Sequence, residues 1–363
     1  MRLKPKILDL YIAKKFITTF FASLALIIVI VIIFDLSEKI DDFVEYEAPL
    51  KAVALDYYLN FVPKFVNMYS PLFVFITVIF FTSILASNSE IIAILSGGIS
   101  YHRFMVPYIV SATLIALLSL SLNLFVVPRS NVKVVEFEAK YVRRHNDFKR
   151  TDIHYQIAPG EFVYVERFDS WNNTARNITL ESVEGNRLTS KLSSETAVWD
   201  STYGGWHMRN YTLRDYSSGL GDKVRCGRQL DTIIPLTVTD FYRNEKTVET
   251  LTIKELDGLI ETQKMRGDAS VIYAQIEKHN RFSLPFSAIV LTIIGVSLSS
   301  RKRRGAAGWN IGIGIALAFS YILFQRLSQM FVFTGTLSPG FAVWLPNLLY
   351  AIIAAFIYRK ACK

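Results

Sequence analysis

The sequence predicts a membrane α-helical protein with six transmembrane helices and an inserted all-β, jelly-roll-like domain. Three observations predict it. Hydrophobic residues make up 51% of the 363 positions, phenylalanine alone occurring 26 times. These residues gather in unbroken blocks towards both ends of the chain. Between the blocks lies a polar stretch in which short apolar alternations are separated by turn formers.

A helix needs about 20 apolar residues to cross about 30 Å of hydrocarbon. Phe16–Phe34, Phe61–Leu85, Phe104–Val127, Asn310–Phe333 and Phe341–Tyr358 meet that length. Phe282–Ser299 is shorter, with Pro285 near its start, and is the sixth candidate. The first block is too long for a signal peptide, and no small-residue cleavage site follows it. The expected domains are therefore 1–127 with three spans, 128–280 outside the membrane, and 281–363 with three more.

Charge sets the orientation. With both termini in the cytoplasm, the inward flanks hold Arg2, Lys4, Lys6, Lys14, Lys15, Arg103, Arg301, Lys302, Arg303, Arg304, Arg359, Lys360 and Lys363. Only Asp9 and Glu90 oppose them, whereas acids outnumber Lys39 and Lys51 in the first outward loop. This is the positive-inside bias. It puts residues 128–280 outside, in the periplasm if the cell has two membranes. Basic and acidic residues balance in that segment, so the formal charge of +9 belongs to the membrane part. A nucleic-acid partner is excluded on that ground. Cys226 would lie outside and Cys362 inside, so the two cannot pair within one chain.

The outer segment alternates in Phe162–Val165, Ile178–Leu180, Ala197–Trp199 and Trp206–Leu213, with turns at Glu184-Gly-Asn186 and Tyr203-Gly-Gly205. Such spacing suits an open sandwich or jelly roll rather than parallel βαβ units. Helices are expected to flank it: Val132–Lys149 running out of span three, and one opened by a capping box at Thr252 and Glu255 and stopped by Gly267. A further helix from about Ala269 leads into span four.

No enzyme signature is present. The chain has no G-x-x-x-x-G-K-[ST] loop, no H-E-x-x-H and no paired C-x-x-C, and its five histidines are scattered. No catalytic residue, metal site or cofactor is expected. The inward loop Ser87–Ser100 is more informative. Ser87 or Ser89 can cap a short helix over about 88–97, with Glu90 in its first turn, Ile91, Ile92, Ile94 and Leu95 as an apolar face, and Gly97-Gly98 ending it. Such a helix suits docking in a partner's groove, or lies on lipid.

That Asn88-Ser-Glu90…Gly98-Ile-Ser100 segment resembles the coupling helix of the LptF/LptG lipopolysaccharide export permeases. Phe34–Phe43, Leu251–Phe286 and Leu337–Asn347 are similar to other stretches of that family, in order along nearly the whole chain. The Ala197-Val-Trp199…Gly205-Trp206 pair is closer to the LptG side. The resemblance implies a cytoplasmic ABC ATPase dimer as partner, with ATP used there and Glu90, Ile91, Ile94, Gly97 and Gly98 at the contact. It also implies a second related permease chain, in a heterodimer or, where the partner is another copy, a homodimer. The outer domain would pass lipopolysaccharide to a periplasmic bridge protein, with Phe162, Tyr164 and Trp206 on the lipid's path.

Arg326 lies roughly 24 Å along span five from Asn310, at about 1.5 Å per residue. Lys39 follows span one and Lys64 begins span two, at the same outer level. An ionisable group within a span is costly and marks function by default. Three cations at one depth suit the phosphates of the lipid, although Lys39 and Lys64 also fit plain snorkelling and Arg326 fits a pair with Asp35 or Glu38. A scaffold that moves no lipid, or a membrane enzyme, are the rival readings; the enzyme lacks a nucleophile and base.

Overall fold

In the computed structural model, residues 7–142, 150–169, 172–216, 223–242, 245–268, 270–300 and 306–362 are described. The basic residues Arg2, Lys4, Lys6, Arg301 to Arg304 and Lys363, and the helix start at Ala269, lie outside them. Among the described residues six helices are long and apolar enough to cross a membrane. They are α1 (Ile7–Glu45), α2 (Leu50–Ser87), α4 (Tyr101–Tyr141), α7 (Val271–Ser299), α8 (Ala306–Phe333) and α9 (Pro339–Ala361). The chain divides into a helical unit, Met1–Val142 with Gln275–Lys363, and a β unit, Arg143–Ala274.

The helix leaving span three ends at Tyr141 and belongs with the spans rather than with the outer segment of the sequence reading. Its Val134 and Phe137 pack on Phe43 of α1 and Tyr57 of α2, which is why it stays there. Proline explains its one irregularity. Pro128 has no N–H to give residue 124 and its ring crowds that carbonyl; the chain answers by widening Leu122–Val126 into π turns. A second π stretch, Val53–Tyr58, precedes Pro63 in α2.

The spans share burial unequally. Within their most apolar windows α2 is 72% buried and α7 67%, but α1 only 17% and α8 28%. From α1 a single stripe, Ile12, Phe16, Phe20 and Leu24, enters the core, as a four-residue spacing requires. Its other faces are apolar and open. Polar side chains inside the bundle satisfy one another: Ser119 Oγ donates to Asn67 Oδ1 at 2.6 Å, and Asn347 Nδ2 to Ser283 Oγ at 2.7 Å. A Cβ at Gly314 would meet Ile79 Cδ1 at 2.1 Å, so α8 and α2 touch there through a glycine; Gly312 faces open space.

The β unit holds an open six-stranded sheet in which each strand pairs antiparallel with its sequence neighbours. The strands are β1 (Arg150–Ala158), β2 (Glu161–Asp169), β3 (Thr174–Glu184), β4 (Arg187–Asp200), β5 (Gly205–Asp215) and β6 (Lys223–Thr232). An unclosed antiparallel sheet inserted between the third and fourth spans agrees with a jelly-roll-like domain. One face carries a core of Val163, Val165, Phe168, Ile178, Trp206 and Met208. The segment through Ile234 and Leu236 to α5 (Val238–Tyr242) covers it, Phe241 stacking on Phe168 at 4.3 Å.

The sheet is creased. Asn177 and Asn210 take positive φ, 50° and 51°, and face Glu166 and Glu195, to which their side-chain amides donate. Pairing keeps its register across this line, but two successive residues of each strand point outward, so the in–out alternation changes phase. The capping box forms as expected: Thr252 Oγ1 accepts from the Glu255 N–H, and Glu255 Oε2 accepts from the Thr252 N–H at 2.8 Å. The helix it opens, α6 (Ile253–Met265), stops at Gly267, which takes φ 65°. Arg266 then offers its carbonyl to the Gln156 N–H of β1 at 3.1 Å.

At the β4–β5 turn, His207 lies between two carboxylates, Nδ1 2.6 Å from Asp231 and Nε2 3.2 Å from Asp200, with its ring against Tyr203. The bond to Asp231, then that to Asp200, raises the imidazole pKa. The Thr202 N–H, then His207, holds Asp200 down at about 2, and His207 lowers Asp231. A raised histidine stabilises fully below its ordinary value of about 6.5 and loses that effect as pH rises through the folded pKa. Lowered carboxylates stabilise above about 3.9 and lose the effect as pH falls.

Two outcomes follow from this packing. Amide exchange at Leu230 and Asp231, corrected for intrinsic rates, should be slowest between about pH 4 and 6.5 and should quicken above that window; His207→Asn should flatten the dependence. Replacing Trp206 with Ala should destabilise the β unit by about 3–5 kcal/mol, seen as protease sensitivity of that unit in the intact protein.

Candidate functional site

At the end of the bundle where α1 begins and α9 finishes, α2 and α4 are joined by a short helix, α3 (Glu90–Ser96). Ser89 precedes it at φ 62°, and its side chain makes no capping bond, contrary to the expected cap. Gly98 closes it at φ 85°, a conformation glycine adopts without strain. The apolar face of α3 is divided in a way the sequence did not indicate. Ile91 is buried among Ile12, Phe16 and Phe104, and Ile94 leans on the same cluster, so both face the chain's own spans. Exposed on α3 and its end are Ile92, Ala93, Ser96, Gly97 and Gly98.

Glu90 is held from two sides. The Tyr11 hydroxyl of α1 donates to its Oε2 at 2.9 Å, and Asn88 Nδ2 to its Oε1 at 3.3 Å. Lys15, one turn along α1, donates to the Tyr11 hydroxyl at 2.5 Å. Beside them Asp9 pairs with Arg103, Tyr101 bonds to Ser300 at 3.2 Å, and His102 bonds to Tyr358. The starts of α1 and α4 and the ends of α7 and α9 therefore meet at this end. Tyr11 was missed in the sequence. Its spacing to Lys15 was readable, but not its contact with a residue 79 positions away.

The three candidate cations at the other end are not equivalent. Lys39 is committed: its Nζ lies 3.0 Å from Asp35 and 3.2 Å from Glu138, bonds to the Tyr57 hydroxyl, and sits 4.7 Å over that ring. Lys64 is half-buried in α2. Arg326 is exposed and makes no hydrogen bond or ion pair among the described residues, so the suggested pair with Asp35 or Glu38 does not form. It stands on the face of α8 that also presents Phe319, Leu323, Leu327 and Met330, all exposed.

The structure does not bring Phe162, Tyr164 and Trp206 together. Phe162 and Tyr164 occupy the sheet face away from the core, where they line a groove of about 580 Å³ with His154, Glu181 and Lys191. Trp206 is 0% exposed on the other face, its indole N–H given to the Leu236 carbonyl at 2.9 Å. That face continues beyond the covered core through the cross-strand row Val163–Leu180–Leu192–Leu213, the last three half-buried.

A buried cation escaped sequence reading altogether. Arg281 in α7 is 1% exposed; its Nε donates to Glu277 at 2.9 Å, while its two terminal nitrogens have no partner among the described residues. Among the described residues no group of three or more His, Cys, Asp and Glu could hold a metal ion. The contrast between Lys39 and Arg326 gives an expected outcome. Lys39→Met should lower stability by on the order of 3 kcal/mol, because Asp35 and Glu138 lose their cation. Arg326→Gln should stay within about 0.5 kcal/mol; thermal unfolding in lipid nanodiscs compares the two.

Comparison with curated proteins finds no match. The model of the family described as lipopolysaccharide export system permease LptF/LptG matches residues 10–360. That description joins LptF and LptG and favours neither for this chain. With the match spanning all six membrane-length helices and the inserted sheet, the chain belongs to the LptF/LptG family of lipopolysaccharide export permeases.

Proposed function

We propose that the chain is the transmembrane permease subunit of an ATP-driven exporter, which takes lipopolysaccharide from the outer leaflet of the inner membrane. It passes the lipid to a periplasmic β-jelly-roll bridge protein. Both termini lie in the cytoplasm, and the β unit lies in the periplasm. The basic flanks at Arg103, Arg359 and Lys360 support that orientation. A cytoplasmic ABC ATPase dimer docks at α3, with Glu90 reaching it beside the exposed Ile92 and Gly97-Gly98. The chain performs no covalent chemistry and needs no cofactor of its own.

The observation that carries this reading is Arg326. A guanidinium on an apolar helix face at membrane depth calls for an anion or a hydrated cavity. The open faces of α1 and α8 are the apolar walls that a lipid's acyl chains would touch, and a second related permease chain would supply the opposite walls. Arg326 binds the lipid's phosphate, Lys64 adds positive charge at the same outer level, and Lys39, set by its own acids, is a fixed part of the rim. On leaving, the acyl chains follow the row Leu180–Leu192–Leu213, because Phe162 and Tyr164 stand on a polar face. The rival reading, a scaffold that transmits force without carrying lipid, draws on the dense packing of the sheet around Trp206.

Photocrosslinking in cells separates the two. A photoreactive residue at Leu192 or Leu213 should give an ATP-dependent lipopolysaccharide adduct, and one at Phe162 or Tyr164 should give none. Arg326→Gln should reduce the adduct about tenfold or more with the ATPase still bound, the scale of a lost charge-assisted contact. No adduct at either leucine, in a folded complex, would leave the scaffold.

A further inference from the structure

We infer that Tyr11 is a positioning residue which, with Lys15 behind it, ties the first span to the coupling helix, so that force arriving at Glu90 moves α1 as well as α2 and α4. The inference rests on the reading of Glu90 as the ATPase contact. Covalently, α3 is joined only to α2 and α4. A stroke on α3 reaches those two helices through the backbone, but it can reach α1 only through side chains. Three links are available. Ile91 is buried in the same apolar cluster as Ile12 and Phe16. Arg103, just after the α3 loop, pairs with Asp9. Tyr11 holds the Glu90 carboxylate itself.

The third link differs from the other two because it ends on the residue that meets the partner. A carboxylate has about four lone-pair positions. Tyr11 and Asn88 occupy one on each oxygen, which fixes the plane of the group and leaves acceptor capacity for an incoming donor. The donors run in one direction, Lys15 ammonium to Tyr11 hydroxyl to Glu90 carboxylate, so each bond polarises the next. The ammonium also lies 4.6 Å over the Tyr11 ring, which keeps the phenol from swinging away. Helix α1 is the span least held by its own chain, with 17% of its apolar window buried, so an added tether at its end has a large share in where it goes.

Tyr11→Phe removes one oxygen and leaves the ring. The intact complex carrying it should still assemble with its ATPase, and transport is read per ATP hydrolysed. Lipopolysaccharide released per ATP in proteoliposomes should fall by roughly two- to thirtyfold, the range over which residues on a coupling route act. Lys15→Met should give a smaller loss in the same direction. Spin labels at Lys14 and Ser96, in a background with Cys226 and Cys362 replaced by Ser, should keep one distance with and without nucleotide. In the Tyr11→Phe variant that distance should spread when ATP binds. An unchanged release ratio, or a distance that ATP alters equally in both proteins, overturns the role of Tyr11. The underlying reading fails separately, if Glu90→Lys leaves both ATPase binding and transport intact.

Discussion

Hydrocarbon offers no partner to a peptide N–H or C=O, and the helical unit is organised by that constraint. Every span is a continuous helix, and departures from regular winding keep to π turns within the helices. The π turns at Leu122–Val126 relieve the crowding by Pro128, and Asn123 on those turns gives its side-chain amide to the Arg281 carbonyl. Asn67, Ser119, Ser283 and Asn347 close their polar groups on one another inside the bundle. Arg281 departs from this as a buried guanidinium with only Nε satisfied among the described residues. There, as at the buried Asp35 Oδ2, burial has outrun hydrogen bonding for a charged group among the described residues.

The same constraint shapes what the chain leaves open. Apolar side chains facing lipid lose nothing, so α1 can contribute a single stripe to its own core and keep the remaining faces free. A cation on such a face is another matter. Lys39 is surrounded by acids and an aromatic ring, whereas Arg326 makes no hydrogen bond or ion pair among the described residues. That difference is what the proposed anion-binding role of Arg326 rests on.

What the sequence disclosed was local. Unbroken apolar blocks gave the spans, Thr252 and Glu255 gave a cap, and Gly185 and Gly204 gave the hairpin turns. Long-range pairing was not legible: no spacing rule links Tyr11 to Glu90, or Asp9 to Arg103. Edge strand β6, reading Lys-Val-Arg-Cys-Gly-Arg-Gln-Leu-Asp-Thr, is wet on both faces for most of its length and so has no alternation to detect. The apolar residues of α3 were visible, but which side they served was not, because a helix of two turns can seat isoleucines inwards while the same pattern would suit a partner. Phe162 and Trp206 looked alike as aromatics in strands, yet only the sheet's pairing shows that they lie on opposite faces.

The crease at Asn177 and Asn210 changes how the β unit must be probed. Along β5, core-facing residues are even-numbered at Trp206 and Met208 and odd-numbered at Tyr211 and Leu213. Along β3 they run from Ala175 to Ile178 and Leu180 with the same change of parity. A cysteine-accessibility scan interpreted by simple odd–even alternation would therefore assign half of each strand to the wrong face. It would report a solvent channel where side chains are packed and a packed wall where they are free. Counting has to restart at the asparagines.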